Sequence, residues 1–274
     1  MSESRNRLIF AAFLAALPAC SLFVSLDDLQ EGGAGSGDAS TNDAASGTDV
    51  GADAGGDSIA PLDAGADADA DIFFDDFDRP DASDIGNGWI EKTPAAYALA
   101  QGAVYRTGDR TVDYPDNIAY RPLSESLADQ EISVELVFVD NVGGYPQLHS
   151  RIQSTVTSPA MLDSYLFYVS ATDQVTLSRN RGNESLTDFS MATISSALVI
   201  GDRYRLTLSV TGASPVNLYG RFDHFDGSSW IAIATVTATD TDPSQITGPG
   251  TVGFSASNGD SEIYFYDNFM RTPL

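Results

Sequence analysis

Apolar and polar residues alternate in short runs from residue 72 to the end of the chain. The clearest run covers residues 131–139, where Ile132, Val134, Leu136 and Phe138 recur at every second position. A period of two residues predicts a strand with one buried face. Similar runs between Gly, Pro, Asn and Asp residues predict further short strands. The predicted strands are 72–77, 97–100, 103–106, 117–121, 131–139, 147–153, 165–170, 175–179, 204–211, 217–222, 230–237, 251–255 and 263–270.

No stretch of this region shows a convincing helical period. Many short strands at regular spacing predict an antiparallel β-sandwich or barrel and exclude an α/β fold. About 200 residues is enough chain for one sandwich with a sizeable core. Trp89 and Trp230 are both expected in that core, because Trp89 ends a turn and Trp230 begins an apolar run.

The first 20 residues are organised as an export signal. Arg5 and Arg7 precede an apolar run over residues 8–17. That run is too short to cross a bilayer as a helix, but it suits the hydrophobic part of a secretory signal. We therefore expect the chain to be exported.

The signal ends in Leu-Pro-Ala-Cys at residues 17–20, and Cys20 is the single cysteine of the chain. This tetrapeptide resembles the bacterial lipobox, which implies that Cys20 is lipidated and begins the mature protein. The alternative is an ordinary secretory signal with an incidental cysteine. Ser21 after the cysteine favours, by analogy, sorting to the outer membrane, so the expected location is the cell envelope with a lipid anchor.

Residues 21–71 have a composition from which no core can be built. Apart from an apolar patch at residues 22–24 they are mainly Asp, Gly, Ala, Ser and Thr, with twelve acidic side chains and no Lys or Arg. Such a segment is predicted to be a disordered tether that spans about 40 Å. A calcium-binding repeat is the alternative, but it requires a strict period that these residues lack.

The segments FFDDFDRPDASDIGNGW, SVELVFVDN, YLFYVS, GDRYRLTLSVTGASPVNLYGRF and GPGTVGFSASNGDSEIYFYDNF lie within residues 72–274. Together they resemble the concanavalin A-like or laminin G-like jelly-roll domains of bacterial exported proteins. The resemblance implies two stacked antiparallel sheets in which the first and last strands are neighbours. Phe74, Phe77, Phe265 and Phe269 would then point into the core, and residues 270–274 would lie largely beyond the pairing. The fold hosts lectins, adhesion modules, glycoside hydrolases and structural modules, so it does not decide function.

The sequence offers few groups for catalysis. His149 and His224 are the only histidines, and no motif for a serine nucleophile, a zinc protease or a phosphate loop is present. Glu131 and Glu135 resemble the acidic strand of retaining glucanases with this fold, with Ser133 in place of the middle acid. Their Cα atoms would be about 13 Å apart on a regular strand, and a retaining pair needs its carboxyl groups about 5 to 5.5 Å apart. Only a bulge would bring them together, so a glycoside hydrolase is the minority interpretation.

The polar side of the middle strands is the better candidate for binding. In residues 147–153, alternation places His149 and Arg151 opposite the apolar positions, and Tyr168 and Arg179 are expected to join them from neighbouring strands. If these side chains line a groove, Tyr145 would cap it from the loop that contains Gly143 and Gly144. Tyrosine rings beside polar side chains are typical of sugar recognition. A solvated sheet face without a ligand is the alternative interpretation.

Acidic residues near the two ends of the domain suggest calcium as a cofactor. Asp76 and Asp267 would supply the oxygen ligands that Ca²⁺ prefers, although both could instead bind backbone groups in turns. Residues 72–274 carry 26 acidic and 12 basic side chains, with a single lysine. This charge excludes nucleic acid as the expected partner. The sequence thus predicts a monomeric envelope lipoprotein whose lectin-like sandwich binds a polysaccharide or another surface component without catalysis.

Overall fold

The computed structural model describes residues 72–107, 114–123, 126–139, 145–154, 162–170, 173–182, 185–257 and 264–274. The signal with Cys20 and the tether at residues 21–71 lie outside this part of the chain. Within it, the only regular elements are fifteen strands, and no helix is present that could span a membrane. The strands are β1 (Phe73–Asp75), β2 (Ile90–Glu91), β3 (Tyr97–Ala100), β4 (Ala103–Arg106), β5 (Ala119–Arg121), β6 (Gln130–Phe138), β7 (Tyr145–Ser154), β8 (Leu162–Ser170), β9 (Gln174–Arg181), β10 (Ser185–Thr193), β11 (Arg203–Thr211), β12 (Val216–Phe225), β13 (Trp230–Asp240), β14 (Thr251–Ser257) and β15 (Tyr264–Pro273).

The strands form two antiparallel sheets that stack as a sandwich. One sheet has eight strands in the order β13-β12-β11-β6-β15-β4-β3, with β1 paired to β15 at one end. The other has seven strands in the order β10-β9-β8-β7-β14-β5-β2. The prediction of an all-β, two-sheet antiparallel sandwich is confirmed.

Alternation along the strands fills the space between the sheets. In β6 the four predicted apolar positions are fully buried, and their neighbours Glu131, Glu135 and Val137 lie on the opposite face. β11 repeats the pattern in register with β6, so the two strands bury one continuous apolar layer. This layer consists of Ile132, Val134, Leu136, Phe138, Tyr204, Leu206, Leu208 and Val210.

The first and last strands are neighbours, as the sequence predicts, with Phe73 opposite Arg271 and Asp75 opposite Phe269. Phe77 and Phe269 are fully buried. The expectation for Phe74 and Phe265 is wrong. Phe74 is 54% exposed because it alternates with Phe73, and Phe265 lies half-buried on the outer side of the sheet, opposite Tyr105.

The two tryptophans have different environments. Trp89 is buried, and its ring centroid lies 5.0 Å from those of Phe254 and Phe269. Trp230 is not in the core. It lies half-buried at the start of the edge strand β13, where the guanidinium of Arg205 stacks on its ring at 4.6 Å. The strand after Trp230 does pack inward, but its buried residues begin at Ile233, and Trp230 precedes them.

Candidate ligand-binding face

Three of the five predicted binding residues, Tyr145, His149 and Tyr168, point to the outer side of the seven-stranded sheet. Gln147 of β7 lies opposite Tyr168 of β8, and residues opposite one another in an antiparallel pair point to the same side. Tyr145 and His149 are two positions away from Gln147 along β7 and therefore share this side. We call the surface formed by Tyr145, Gln147, Tyr168 and their neighbours on β9 and β10 the outer face of the seven-stranded sheet.

Tyr145 and Tyr168 form an aromatic pair on this face. Their ring centroids are 6.1 Å apart with an interplanar angle of 54°, and both side chains are half-buried. Half-buried rings keep part of their surface exposed to a binding partner. The two tyrosines thus provide apolar surface on an otherwise polar face.

His149 lies beneath the face and does not contact solvent. Its two ring nitrogens bond with the hydroxyls of Ser164 (3.0 Å) and Ser255 (2.7 Å), and Tyr114 stacks on the ring at 5.8 Å. Burial lowers the pKa of His149 to about 3, so the imidazole is neutral at physiological pH. The expectation that His149 contacts a ligand is therefore replaced by a structural role, because full burial leaves its side chain no open surface.

Asp188 of β10 adds a carboxylate that the sequence did not single out. It lies opposite Ser178 of β9, whose hydroxyl donates to Asp188 Oδ1 at 2.5 Å, and the Tyr168 hydroxyl is 3.5 Å from the same oxygen. Burial raises the pKa of Tyr168, and the negative charge of Asp188 adds to this shift. Asp188 itself is exposed.

No prediction of β10 was possible from alternation. A bulge between Asp188 and Ser190 shifts the register with β9, which breaks the period of two. An exposed Asp in a segment with no recognisable strand pattern gives no signal for a site.

Arg151 does not belong to the face, contrary to the prediction. The chain adopts a φ of +52° at this residue, inside a register shift between Ser150 and Gln153. The bulge turns the side chain into the interior, where it is fully buried. Its guanidinium donates to the carbonyls of Ala128 (2.6 Å), Ile246 (2.7 Å) and Gly212 (2.6 Å) and to Asp129 Oδ1 (3.3 Å).

Arg179 is also excluded from the face. It lies opposite Tyr165 on β8, and both side chains point between the two sheets. There its Nη1 donates to Asp240 Oδ2 at 2.6 Å, and the Tyr165 hydroxyl donates to the same oxygen at 2.8 Å. The prediction failed because Arg179 follows the inward positions of Val175 and Leu177 in the strand period.

The two glutamates of the retaining-glucanase pattern lie on the opposite side of the sandwich. The register of β6 with β11 is continuous from Gln130 to Val137, so no bulge shortens the path between Glu131 and Glu135. Their Cα atoms therefore remain about 13 Å apart. Glu131 accepts a hydrogen bond from Ser209 (2.5 Å), and Glu135 forms an ion pair with Arg203 (2.5 Å). These contacts do not produce the carboxylate geometry of a retaining hydrolase.

The two residues predicted to bind calcium lie near each other. Burial raises the pKa of Asp267, and the charges of Glu135 and Asp76 raise it further. Each carboxylate also accepts a backbone hydrogen bond: Asp76 from the N–H of Asp78 (3.1 Å) just after β1, and Asp267 from the N–H of Asn268 (2.8 Å) at the register shift within β15. Within the described ranges, no group of three or more His, Cys, Asp or Glu side chains is arranged to hold a metal ion. The alternative interpretation, in which the two carboxylates bind backbone groups, accounts for these hydrogen bonds.

Comparison with known proteins gives similarity of structure alone. No protein family model matches the chain, and no curated protein matches its sequence at a significant level. Among solved structures, the chain is similar to a protein of unknown function with a galectin-like fold from Bacillus subtilis, with a TM-score of 0.48 and 11% identity over 73% of this chain and 94% of that one. It is also similar to the carbohydrate-binding module CBM66 from Bacillus subtilis, with a TM-score of 0.45 and 17% identity over 67% of this chain and 94% of that one.

A third similar structure is the GH43 protein BlXynB from Bacillus licheniformis, with a TM-score of 0.47 and 16% identity. The match covers 73% of this chain but 39% of that one, so the chain spans less than half of that enzyme. At these identities and TM-scores, the similarity does not extend to ligand or activity. The fold assignment therefore rests on the strand order of the two sheets.

Proposed function

We propose that the β-sandwich binds a carbohydrate on the outer face of its seven-stranded sheet, without catalysis, at the surface of the cell envelope. The observation that carries the proposal is the half-buried pair Tyr145 and Tyr168 beside the exposed carboxylate of Asp188. A sugar ring offers apolar C–H surface and a rim of hydroxyl groups. Aromatic rings next to fixed polar groups match both features.

Neighbouring side chains extend this surface across β9 and β10. Met191 and Leu186 share the face with Asp188, because they lie opposite Thr176 and Asn180 on β9. They are 61% and 44% exposed. On the same side of the sheet, the hydroxyl and amide groups of Ser178, Asn180 and Gln147 are buried and polar. Exposed apolar side chains next to hydrogen-bonded polar groups suit a partner that is itself amphipathic, as a polysaccharide is.

Binding without turnover is favoured by the small number of groups that could transfer protons. Glycoside hydrolysis ordinarily requires two carboxyl groups at a defined separation. On β7 to β10, Asp188 is the one described carboxylate that shares the face with the tyrosines. His149 is neutral and fully buried, so it offers no second catalytic group.

The envelope location in this proposal rests on the N-terminal sequence. Lipidation of Cys20 would anchor the protein in a membrane, expected to be the outer membrane, and residues 21–71 would hold the domain away from the lipid surface. Each buried acyl methylene contributes about 0.8 kcal/mol, so several acyl chains hold a protein on a membrane almost permanently. The domain would then face glycans at or near the cell surface.

The proposal is tested with a glycan array probed by the wild-type chain and by Tyr145→Ala and Tyr168→Ala. We expect binding to at least one polysaccharide and loss of about tenfold or more in affinity for each variant, because each substitution removes an aromatic ring on which the apolar side of a sugar would pack. Tyr219→Ala is the matched control, because Tyr219 is a partly exposed tyrosine on the other sheet. Unchanged thermal unfolding of the variants would exclude misfolding. Absence of glycan binding, or equal loss in all three variants, would contradict the proposal.

A further inference from the structure

We infer that the outer face of the seven-stranded sheet selects neutral or amine-bearing saccharides and rejects acidic ones. This inference rests on the proposed function, because it names the chemical class of the ligand for the same face. Two observations carry it, namely the positions of the basic side chains and the geometry of Asp188.

Eleven of the twelve basic side chains in residues 72–274 belong to the described part of the chain. Three of them lie on β7 to β10, and none points to the side of Tyr168 and Asp188: Arg151 and Arg179 are buried in the interior, and Arg181 alternates with Asn180, which shares the side of Asp188. Recognition of uronate or sulfate groups ordinarily uses Arg or Lys, which bind these anions through charge-assisted hydrogen bonds. Arg110, the twelfth, lies outside the described residues. The described part of the face therefore provides no cation for an acidic sugar.

Each described basic residue is engaged elsewhere. Arg151, Arg179, Arg106 and Arg271 are buried, and Arg181 forms an ion pair with Asp163 at 2.8 Å. The remaining contacts are as follows: Arg79 with Asp75, Arg121 over the Phe73 ring, Lys92 with Asp116, Arg203 with Glu135, and Arg205 and Arg221 with Asp223.

The three arginines of the opposite sheet that are not buried, Arg203, Arg205 and Arg221, do not offer an alternative anion site. Arg205 and Arg221 share the buried carboxylate of Asp223, at 3.0 and 2.6 Å. Arg203 is held by Glu135 and by stacking on Phe225 at 4.9 Å. An acidic glycan at that surface would have to displace protein carboxylates from these arginines.

Asp188 is the group on this face that would attract a neutral or amine-bearing sugar. Its Oδ1 accepts a hydrogen bond from the Ser178 hydroxyl and lies 3.5 Å from the Tyr168 hydroxyl. These contacts orient the carboxylate. No described residue donates a hydrogen bond to its Oδ2. An ionised carboxylate only accepts hydrogen bonds, so Oδ2 can bind a sugar hydroxyl or an ammonium group. A sugar carboxylate at the same place would meet like charge, and the net charge of −14 on residues 72–274 would also repel a polyanion as it approaches.

The experiment is affinity electrophoresis of the full chain in gels that contain one polysaccharide each. The probes are laminarin and arabinoxylan as neutral glycans, chitosan as an amine-bearing glycan, and alginate and polygalacturonate as acidic glycans. We expect retardation by at least one neutral or amine-bearing probe and none by the acidic probes. Asp188→Asn should lower the affinity for the bound probe about tenfold, whereas Asp202→Asn, which removes the same charge at the start of β11, should leave it unchanged.

The outcomes separate this inference from the proposed function. Retardation by alginate or polygalacturonate that is abolished by Tyr168→Ala overturns the inference and leaves carbohydrate binding at this face intact. Equal effects of Asp188→Asn and Asp202→Asn also overturn it. Binding to no probe, or binding that survives both Tyr145→Ala and Tyr168→Ala, overturns the proposed function and the inference with it.

Discussion

Trp89 donates a hydrogen bond from its indole Nε1 to Oδ2 of Asp75 at 2.8 Å, and both side chains are buried at the closure of the domain. Asp75 also accepts from the backbone N–H of Phe77 (2.9 Å), from Arg79 Nη1 (2.6 Å) and from Asn87 (3.1 Å). The ring of Trp89 packs on Phe269 of the last strand. One carboxylate thus joins the first strand, the following loop and the aromatic core.

Asp75→Ala should therefore be strongly destabilising. The substitution leaves a buried indole N–H and the partly buried guanidinium of Arg79 without their acceptor, and breaking a buried pair costs about 3–5 kcal/mol. The measurement is urea unfolding followed by tryptophan fluorescence. Asp76→Ala is the control, because Asp76 is exposed and accepts one hydrogen bond from a backbone N–H. A loss no larger than that of the control would show that Asp75 does not organise this closure.

The same carboxylate should make stability depend on pH. Burial by itself would raise the pKa of Asp75, but the hydrogen bonds from Arg79, Trp89, Phe77 and Asn87 outweigh it and hold the pKa below its usual value. A carboxyl with a lowered pKa in the folded state stabilises the fold above its unfolded pKa of about 3.9, and this stabilisation is lost as the pH falls through the folded value. Wild type should lose more unfolding free energy below about pH 4 than Asp75→Asn does.

Glu91 and Asp267 act in the opposite direction, since burial raises the pKa of each. Their contribution is common to wild type and to Asp75→Asn, so the difference between the two pH profiles reports on Asp75. Parallel profiles of unfolding free energy from pH 7 down to acid would rule out the assigned role.

Arg151 should matter for stability and not for ligand binding. Arg151→Met would leave three backbone carbonyls without their donor, and each unsatisfied buried group costs about 1–3 kcal/mol. We expect a total loss of about 3 kcal/mol or more by chemical unfolding. Arg181→Met should cost less than Arg151→Met, because the Arg181 side chain is 40% exposed and is paired with one carboxylate, that of Asp163. The glycan affinity of the folded Arg151→Met protein should match that of wild type. A loss of affinity in a variant that remains folded would show that Arg151 takes part in binding.

The sequence predicted the fold more completely than the face, and the reason lies in the bulges. Alternation identifies the inward residues of β6 because that strand keeps its register with β11 over its whole length. In β7 the extra residue at Arg151 reverses the side to which the following residues point. A non-glycine residue with positive φ gives no local signal in the sequence, so alternation carried past residue 150 placed Arg151 on the wrong side.

The other differences between prediction and structure have separate causes. The period of two placed Tyr168 on its strand, whereas Tyr145 was expected in the loop before the strand and is instead the first residue of β7. Asp188 was missed because its strand has a bulge and because its contacts come from β8 and β9. Arg179 was misplaced although Val175 and Leu177 set the inward positions of its strand, and its partner Asp240 lies on the opposite sheet.

Anchoring by lipid should depend on one residue. Cys20→Ala should move the protein from the membrane fraction to the soluble fraction, because residues 8–17 are too short to serve as a transmembrane helix. The measurement is fractionation of cells followed by immunoblotting. Ser21→Ala is the matched control and should leave the protein in the membrane fraction. A Cys20→Ala protein that remains with the membranes would contradict the lipobox interpretation.

The end of the chain should be essential for the sandwich, which corrects the expectation that residues 270–274 lie beyond the pairing. β15 continues to Pro273, and Met270–Pro273 pair with β6 on one side while Phe269–Arg271 pair with β1 on the other. Arg271 is almost fully buried. A shift of register between Asp267 and Met270 hides this extension from alternation.

Deletion of residues 270–274 should therefore unfold the domain or lower its stability severely. The deletion removes ladder hydrogen bonds to two strands and a buried arginine, against a total stability of about 5–15 kcal/mol for a typical domain. Leu274→Ala is the control, since Leu274 is 61% exposed and the substitution keeps the backbone bond from its N–H to the Asp129 carbonyl. Thermal unfolding followed by circular dichroism would compare the two. A truncated chain that melts cooperatively within a few degrees of wild type would show that the last residues of β15 are not needed for the fold. The closure of the domain would then rest on β1 and the aromatic cluster around Trp89.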